Sequence, residues 1–241
     1  FDKYTNSIAS HTRKRENFNS TLQLASLEFR DIIDPTLPKR PLVGINGEIF
    51  LRSNRFSNND LEKVCEEAGL EVVVSPMGEW IKYTSYRNLE DALKYKQFKK
   101  MINSYLKKCI QEHDEHVIAG NLKTMLNGRD SSTEVILEKS SLYLSPRCGS
   151  EAVLSIGSGI EWMEHPEFAG VISVMPHGCM PGGIVAAMAE KFSASYQKPW
   201  ISLTFDGFLE TNNLTRTSEF AELVKFCHRN VKETAVSPLS I

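Results

Sequence analysis

The sequence predicts an α/β chain built on a mostly parallel sheet of about four strands. Three observations carry this. Two strand–helix–strand patterns, over residues 41–74 and 171–205, each place a helical period between two short apolar runs, and crossovers of that kind join parallel strands. A further helical period follows the second pattern. Between the two patterns the helical period dominates, which reads as a long helical insertion. The arrangement is Rossmann-like and doubly wound.

In chain order, residues 1–30 are weakly helical, with Phe18, Leu22, Ala25 and Phe29 at three- and four-residue steps. Pro35, Pro38 and Pro41 then break the chain, so residues 1–40 are expected to be a helical segment and linker from a preceding region. Pro41-Leu42-Val43-Gly44-Ile45-Asn46-Gly47 reads as a buried strand. Asn59 is expected to cap a helix with apolar Leu61, Val64, Cys65 and Ala68, closed by Gly69 before the β-branched strand Glu71-Val72-Val73-Val74. Residues 89–118 form the longest helical pattern. Tyr95, Phe98, Met101, Ile102, Tyr105, Leu106 and Cys109 take one side of it, and Lys96, Lys99, Lys100, Lys107 and Lys108 much of the rest. Gly120 and Gly128 bracket a second helix. Residues 134–164 supply one or two more, interrupted at Pro146-Arg147-Cys148-Gly149. Strands at 171–175 and 200–205 alternate with helices at 183–192 and 214–228. Residues 41–230 thus form the Rossmann-like lobe, and 231–241 a tail.

With 28 basic against 30 acidic side chains, the chain lacks the positive balance that nucleic-acid binders carry to meet phosphates. No apolar run nears the roughly 18 residues that span a bilayer, so neither a membrane nor a nucleic-acid partner is expected. The chain opens Phe1-Asp2-Lys3-Tyr4, without an initiator Met or a signal peptide, and is expected to be a piece of a longer polypeptide. Its five cysteines are odd in number, widely spaced and free of Cys-x-x-Cys. That argues for a reducing cytoplasm and against disulfide frameworks, zinc ribbons and thioredoxin-like motifs.

Ligands of open α/β sheets sit beyond the carboxyl ends of the strands. Residues 44–50, 75–77, 176–183 and 206–213 should fall there. In Met175-Pro176-His177-Gly178-Cys179-Met180-Pro181-Gly182-Gly183, prolines and glycines fix the backbone path. Cys179 stands just ahead of a helix N-terminus, where amides and the helix dipole stabilise a thiolate. Such a thiolate can ligate a metal or attack an electrophile, and a small buried thiol in a tight loop is the alternative. Cys148, in a Pro/Gly-flanked loop, is the weaker candidate ligand, whereas Cys65, Cys109 and Cys227 read as helix-face core. His177 reads as a loop cap, and His113 and His116 as a solvated face. Gly44-x-x-Gly47-Glu48 lacks both the three-glycine fingerprint and a Walker lysine. Glu48 and Asp206 each follow a strand and serve either a site or the loop amides. The lysine face of the 89–108 helix is either solvated or meets an acidic partner or phosphates.

Three segments together resemble the 2-hydroxyacyl-CoA dehydratase superfamily and the related CoA-enzyme activase proteins. They are Val43-Gly44-Ile45-Asn46-Gly47-Glu48-Ile49-Phe50 with Asn58-Asn59-Asp60-Leu61 and Gly69-Leu70-Glu71-Val72, then Gly149-Ser150-Glu151-Ala152-Val153-Leu154-Ser155-Ile156-Gly157, then Pro176-x-x-Cys179-Met180-Pro181-Gly182 running to Phe205-Asp206-Gly207, Asn212, Arg216 and Phe220. The resemblance covers residues 41–229. It implies a Rossmann-like lobe and an iron–sulfur cluster, of 4Fe–4S type in the intact protein, to which Cys179 would contribute one thiolate. Gly178 and Gly182 would let backbone amides approach the cluster sulfurs, with Glu48 and Asp206 at the same loop edge. Ser150 departs from the family's Gly-Glu-Ala segment, and the remaining cluster cysteines of the family come from an earlier lobe. One thiolate cannot hold a four-iron cluster, so this stretch alone is expected to carry no cofactor and to be inactive. The partners implied are upstream domains of the same polypeptide and an activase or dehydratase-like protein. Two alternatives belong to other classes, a cluster-free structural or docking lobe and a small-molecule domain binding a CoA ester or nucleotide.

Overall fold

The computed structural model describes residues 2–126, 132–207 and 211–236. Contacts divide the chain into two units, one of residues 1–38 and 82–131, the other of residues 39–81 and 132–241.

The sheet unit carries four parallel strands, β1 (Leu42–Gly47), β2 (Glu71–Val74), β3 (Phe168–Pro176) and β4 (Trp200–Phe205), in the order β2-β1-β3-β4. Gly44 pairs with Val73 on one side and Val171 on the other. Ile172 pairs with Ile201. Because alternate strand residues face opposite ways, the sheet has two cores. On one face Val43, Ile45, Ile172, Val174 and Leu203 meet Leu61 and Cys65 of α4 (Leu61–Glu67) and Phe220, Ala221 and Val224 of α10 (Thr211–Val236). On the other, Leu42, Val171, Met175 and Trp200 meet Ala152, Ile156 and Ile160 of α8 (Glu151–Glu164) and Val185, Ala189 and Phe192 of α9 (Met180–Tyr196). Burying each of these larger side chains stabilises the fold by roughly 1.5–3 kcal/mol. The α/β doubly wound architecture expected from the sequence is therefore the one observed.

A closed chain of buried polar groups ties the second face together. Asn46 Nδ2 donates to the Ser155 carbonyl (2.8 Å) and to Ser158 Oγ (3.2 Å). Ser173 Oγ donates to Asn46 Oδ1 (2.6 Å) and accepts from the Trp200 indole (2.9 Å). Asn46 and Ser173 are fully buried, so each bond replaces one that water would have made. The network fixes α8 over β1 and β3. Gly44 lets Trp162 of α8 close down on β1, where an added Cβ would stand 2.0 Å from the indole ring.

In the helical unit, α1 (Asp2–Lys14) and α2 (Asn19–Ile32) meet through Tyr4 and Phe29, whose rings lie 6.1 Å apart, and through the Lys3–Glu28 ion pair at 2.9 Å. The unit also holds most of α5 (Met77–Lys94) and all of α6 (Phe98–Leu126), which packs on α2. The single helical pattern at 89–118 is thus two helices. Lys96 adopts φ +53° and the Gln97 amide closes on the Ala92 carbonyl, ending α5 with no glycine or proline to announce it. Gly120 lies inside α6 rather than at a boundary, and Gly128 falls outside the described residues. Cys109, expected in a core, is exposed, as are Phe98, Ile102, Tyr105 and Leu106. No helix among the described residues is long and apolar enough to cross a membrane.

Candidate functional site

The chain leaves β1 toward β2 and leaves β3 in the opposite direction, toward β4, so the switch point of the sheet lies between β1 and β3. A shallow crevice opens at the carboxyl ends of these two strands. Gly47 and Glu48 border it from β1, Val174 and Met175 from β3, Glu151 and Ser155 from α8, and Cys179 and Gly182 from the start of α9.

Each wall has a local cause. Gly47 takes φ +114°, and an added Cβ would sit 1.9 Å from the Val174 carbonyl oxygen, so only glycine passes here. Glu48 then caps α3 (Ile49–Ser53), its carboxylate accepting from the Phe50 amide (3.1 Å) and the Leu51 amide (2.7 Å). Both oxygens of Glu48 are therefore held by backbone amides, those of the first turn of α3. Asn58, not Asn59, takes the capping role before α4. Its Oδ1 accepts from the Leu61 amide at 3.2 Å and its Nδ2 donates to the Leu51 carbonyl at 2.9 Å, while Asn59 and Asp60 turn the chain at φ +55° and +53°.

Cys179 is the N-cap residue of α9, half-buried, and packs partly against the α8 and α9 core. Its carbonyl accepts from the Gly183 amide (2.9 Å), and its side chain makes no capping hydrogen bond. Pro181 in the first turn has no N–H, which leaves the Met180 and Gly182 amides as donors at the helix start. Gly178 closes the preceding turn at φ +72°. Gly182 is held against Met175, whose Sδ would lie 2.2 Å from an added Cβ, so packing demands glycine there. His177 is exposed, its amide bonded to the Phe205 carbonyl at 2.9 Å.

Two residues that sequence reasoning did not single out set the charge here, Glu151 at the crevice edge and Arg52 buried behind it. Glu151 opens α8 and borders the crevice. Burial pushes its carboxyl upward, and the neighbouring Glu48 charge adds to this, against the Ile49 amide and Arg52, which favour the ionised form. Arg52 is 2 % exposed. Its guanidinium donates to the Gly47 carbonyl (3.3 Å) and the Pro76 carbonyl (3.2 Å), pinning the ends of β1 and β2 together. Burial lowers its pKa, and the carboxylates of Glu79, Glu151 and Glu48 oppose that loss. The signal for Arg52 was its position one turn into a helix that begins at the end of β1, whereas Glu151 is the first residue of a helix that follows no strand.

The other candidates stand elsewhere. Cys148 is exposed in the 3-10 turn Pro146–Cys148, ahead of α8, and is not among the crevice residues. Asp206 is exposed after β4 and does not border the crevice either. Residues 208–210 of that loop lie outside the described residues. His113 and His116 are exposed on α6, Cys227 is half-buried on α10, and Cys65 is core, its thiol pushed by burial up to about 12. Among the described residues no three His, Cys, Asp or Glu side chains are grouped to hold a metal ion. No family model matches the chain, and no curated protein or solved structure matches it.

Proposed function

We propose that the sheet unit is one lobe of a larger iron–sulfur protein related to 2-hydroxyacyl-CoA dehydratases and their activases, and that Cys179 supplies one thiolate to a cluster shared with cysteines beyond this chain. The supporting observation is the placement of Cys179. It is the crevice thiol at the sheet's switch point, at the first turn of a 17-residue helix whose free amides favour negative charge. The donor set fits one corner of a 4Fe–4S-type site and no more, since a cluster needs several thiolates. Within such a site, Cys179 would bind iron, and the Met180 and Gly182 amides would stabilise the charge on its sulfur. Glu151, with its carboxyl raised, would hold a proton at the crevice edge to higher pH than an ordinary glutamate. A bound cluster would supply one-electron transfer at low potential. Cys148 would be a second ligand only if its turn reached the crevice.

The crevice has room for little more than a single water, far short of the roughly 300–1,000 Å³ of sites that enclose a small-molecule ligand. This weighs against a CoA ester or nucleotide held by this lobe alone. The test is iron and acid-labile sulfide per chain, on anaerobically purified protein extended upstream of Phe1. Cys179→Ala is expected to lower both, with Cys148→Ala changing them less. Iron and sulfide unchanged in Cys179→Ala would remove Cys179 from the site. A metal-free, folded protein would favour a cluster-free lobe.

A further inference from the structure

The two outer strands of the sheet treat their free edges differently. In a parallel ladder, alternate residues turn their main-chain polar groups to one side. On β4, the Pro199 and Phe205 carbonyls accept from the Val171 and His177 amides, so Trp200, Ser202 and Thr204 face away from β3. Side chains of α9 and α10 seal that edge. Ser193 Oγ accepts from the Trp200 amide (2.7 Å), and Arg216 and Asn213 donate to the Ser202 and Thr204 carbonyls (both 2.8 Å). On β2, the Glu71 and Ser75 amides donate to the Pro41 and Ile45 carbonyls (both 2.9 Å), so Val72 and Val74 face away from β1. Among the described residues, nothing bonds the main chain of either valine on that side. Val72, Val73 and Val74 are only half-buried, whereas Val43 and Ile45 beside them on β1 are at most 1 % exposed.

Alternating free amides and carbonyls at strand spacing fit one kind of occupant, another extended strand. We infer that this occupant is β2 of a second copy of the chain, paired antiparallel about a two-fold axis at Val73, so that the two sheets become continuous. The strand is complementary to itself in this register. Val72 exchanges both main-chain bonds with the partner's Val74, and Val73 faces the partner's Val73. Glu71 faces the partner's Ser75, so no like charges meet across the pair. Neighbouring registers fail. An axis at Val74 sets Val72 against the partner's Pro76, which has no N–H, and an axis at Val72 sets Val74 against the partner's Leu70, outside the strand. A loose segment would pay the entropy of becoming a strand, whereas β2 of a second copy is already held extended by β1. The contact uses the side of the sheet rather than the strand ends, and holds whether or not Cys179 binds a cluster.

The test is sedimentation velocity of the full chain over a concentration series, joined to amide hydrogen exchange and a crosslink. The expected result is a monomer–dimer equilibrium in which the Val72 and Val74 amides slow as the dimer fills. The Val73 amide, which points to β1, should change little. Facing residues without mutual hydrogen bonds lie about 4.5 Å apart in an antiparallel pair, within disulfide reach. Val73→Cys, with the exposed Cys109 and Cys148 changed to serine, should therefore crosslink under mild oxidation, and Val72→Cys in the same background much less. Val72→Pro removes an N–H that has no acceptor in the monomer, so it should keep a folded circular dichroism spectrum. It should raise the dimer dissociation constant about tenfold or more. A dimer that does not crosslink through Val73→Cys would overturn the inference. So would a monomer at every concentration, and slow Val72 and Val74 amides in that monomer would give the edge to a segment of its own chain.

Discussion

The sheet unit and the helical unit spend their apolar residues in opposite ways. In β1 and β3, residues such as Val43, Ile45, Val171, Ile172 and Val174 are at most 1 % exposed, and helices cover both faces of the sheet. Asn46, Ser173 and the Trp200 indole, polar groups within that interior, are joined in one network. In the amino-terminal half of α6, Phe98, Ile102, Tyr105, Leu106 and Ile110 are exposed, while Met101, Ser104 and Lys108 are half-buried. An alternating, fully covered strand is explained by its own fold. A helix that leaves phenylalanine, isoleucine and tyrosine uncovered over successive turns is not explained by its own packing.

The largest test of this contrast is a pair of isoleucines. Ile172→Ala in β3 should cost about 2–5 kcal/mol of stability in urea unfolding, through lost burial and the cavity left behind. Next comes the polar network. Asn46→Ala strips partners from Ser173 and the Ser155 carbonyl and should cost about 1–3 kcal/mol. Asn46→Ala/Ser173→Ala should cost less than the sum of the two single changes, because the residues share a bond, and strict additivity would show that the network does not act as a unit.

A smaller effect is set by pH. The folded-state pKa of Glu151 lies above its unfolded value, so its contribution is fully present below the unfolded pKa and is lost as pH rises through the folded one. Glu151→Gln should match the wild type in acid and be the more stable at neutral pH. Unfolding curves at a series of pH values would show this, and parallel curves would refute it. The smallest change belongs to the other isoleucine. Ile102→Ser should shift stability by no more than about 0.5 kcal/mol, and a loss comparable to Ile172→Ala would mean that Ile102 is internal core.

Much of the sheet unit can be read from the chain, because buried strands announce themselves as short β-branched runs. Both Glu71-Val72-Val73-Val74 and the run from Trp200 to Phe205 form strands with the expected bounds. The loop after β3 lies where the topology demands, and Cys179 and Gly182 border the crevice there. What escaped detection depends on backbone states and on distant partners. A left-handed Lys96 leaves no mark that separates α5 from α6. The five residues of α3 are too few to show a period, and their signal is the capping carboxylate of Glu48. Glu151 reaches the crevice only because α8 is seated on β1 and β3 by Asn46 and Trp162, contacts that span more than a hundred residues. The apolar face of α6 was legible as a face, but its direction was not, since periodicity shows which residues share a side and never which side is covered.

The pairing of β1 with β3 also sets an order of assembly. Asn46 and Ser173, joined in the finished sheet, stand 127 positions apart in the chain. Strand β2 is within reach soon after β1 is made, but the other edge of β1 waits until α5, α6, α7 (Thr133–Ser141) and α8 have left the ribosome. At roughly 5–20 residues per second that wait lasts on the order of ten seconds. For that interval an apolar strand has one open edge, the surface on which chains aggregate. The helical insertion that separates the two halves of the sheet therefore also acts as a timer, fixing how long the newborn chain depends on dilution or a chaperone before its centre can close.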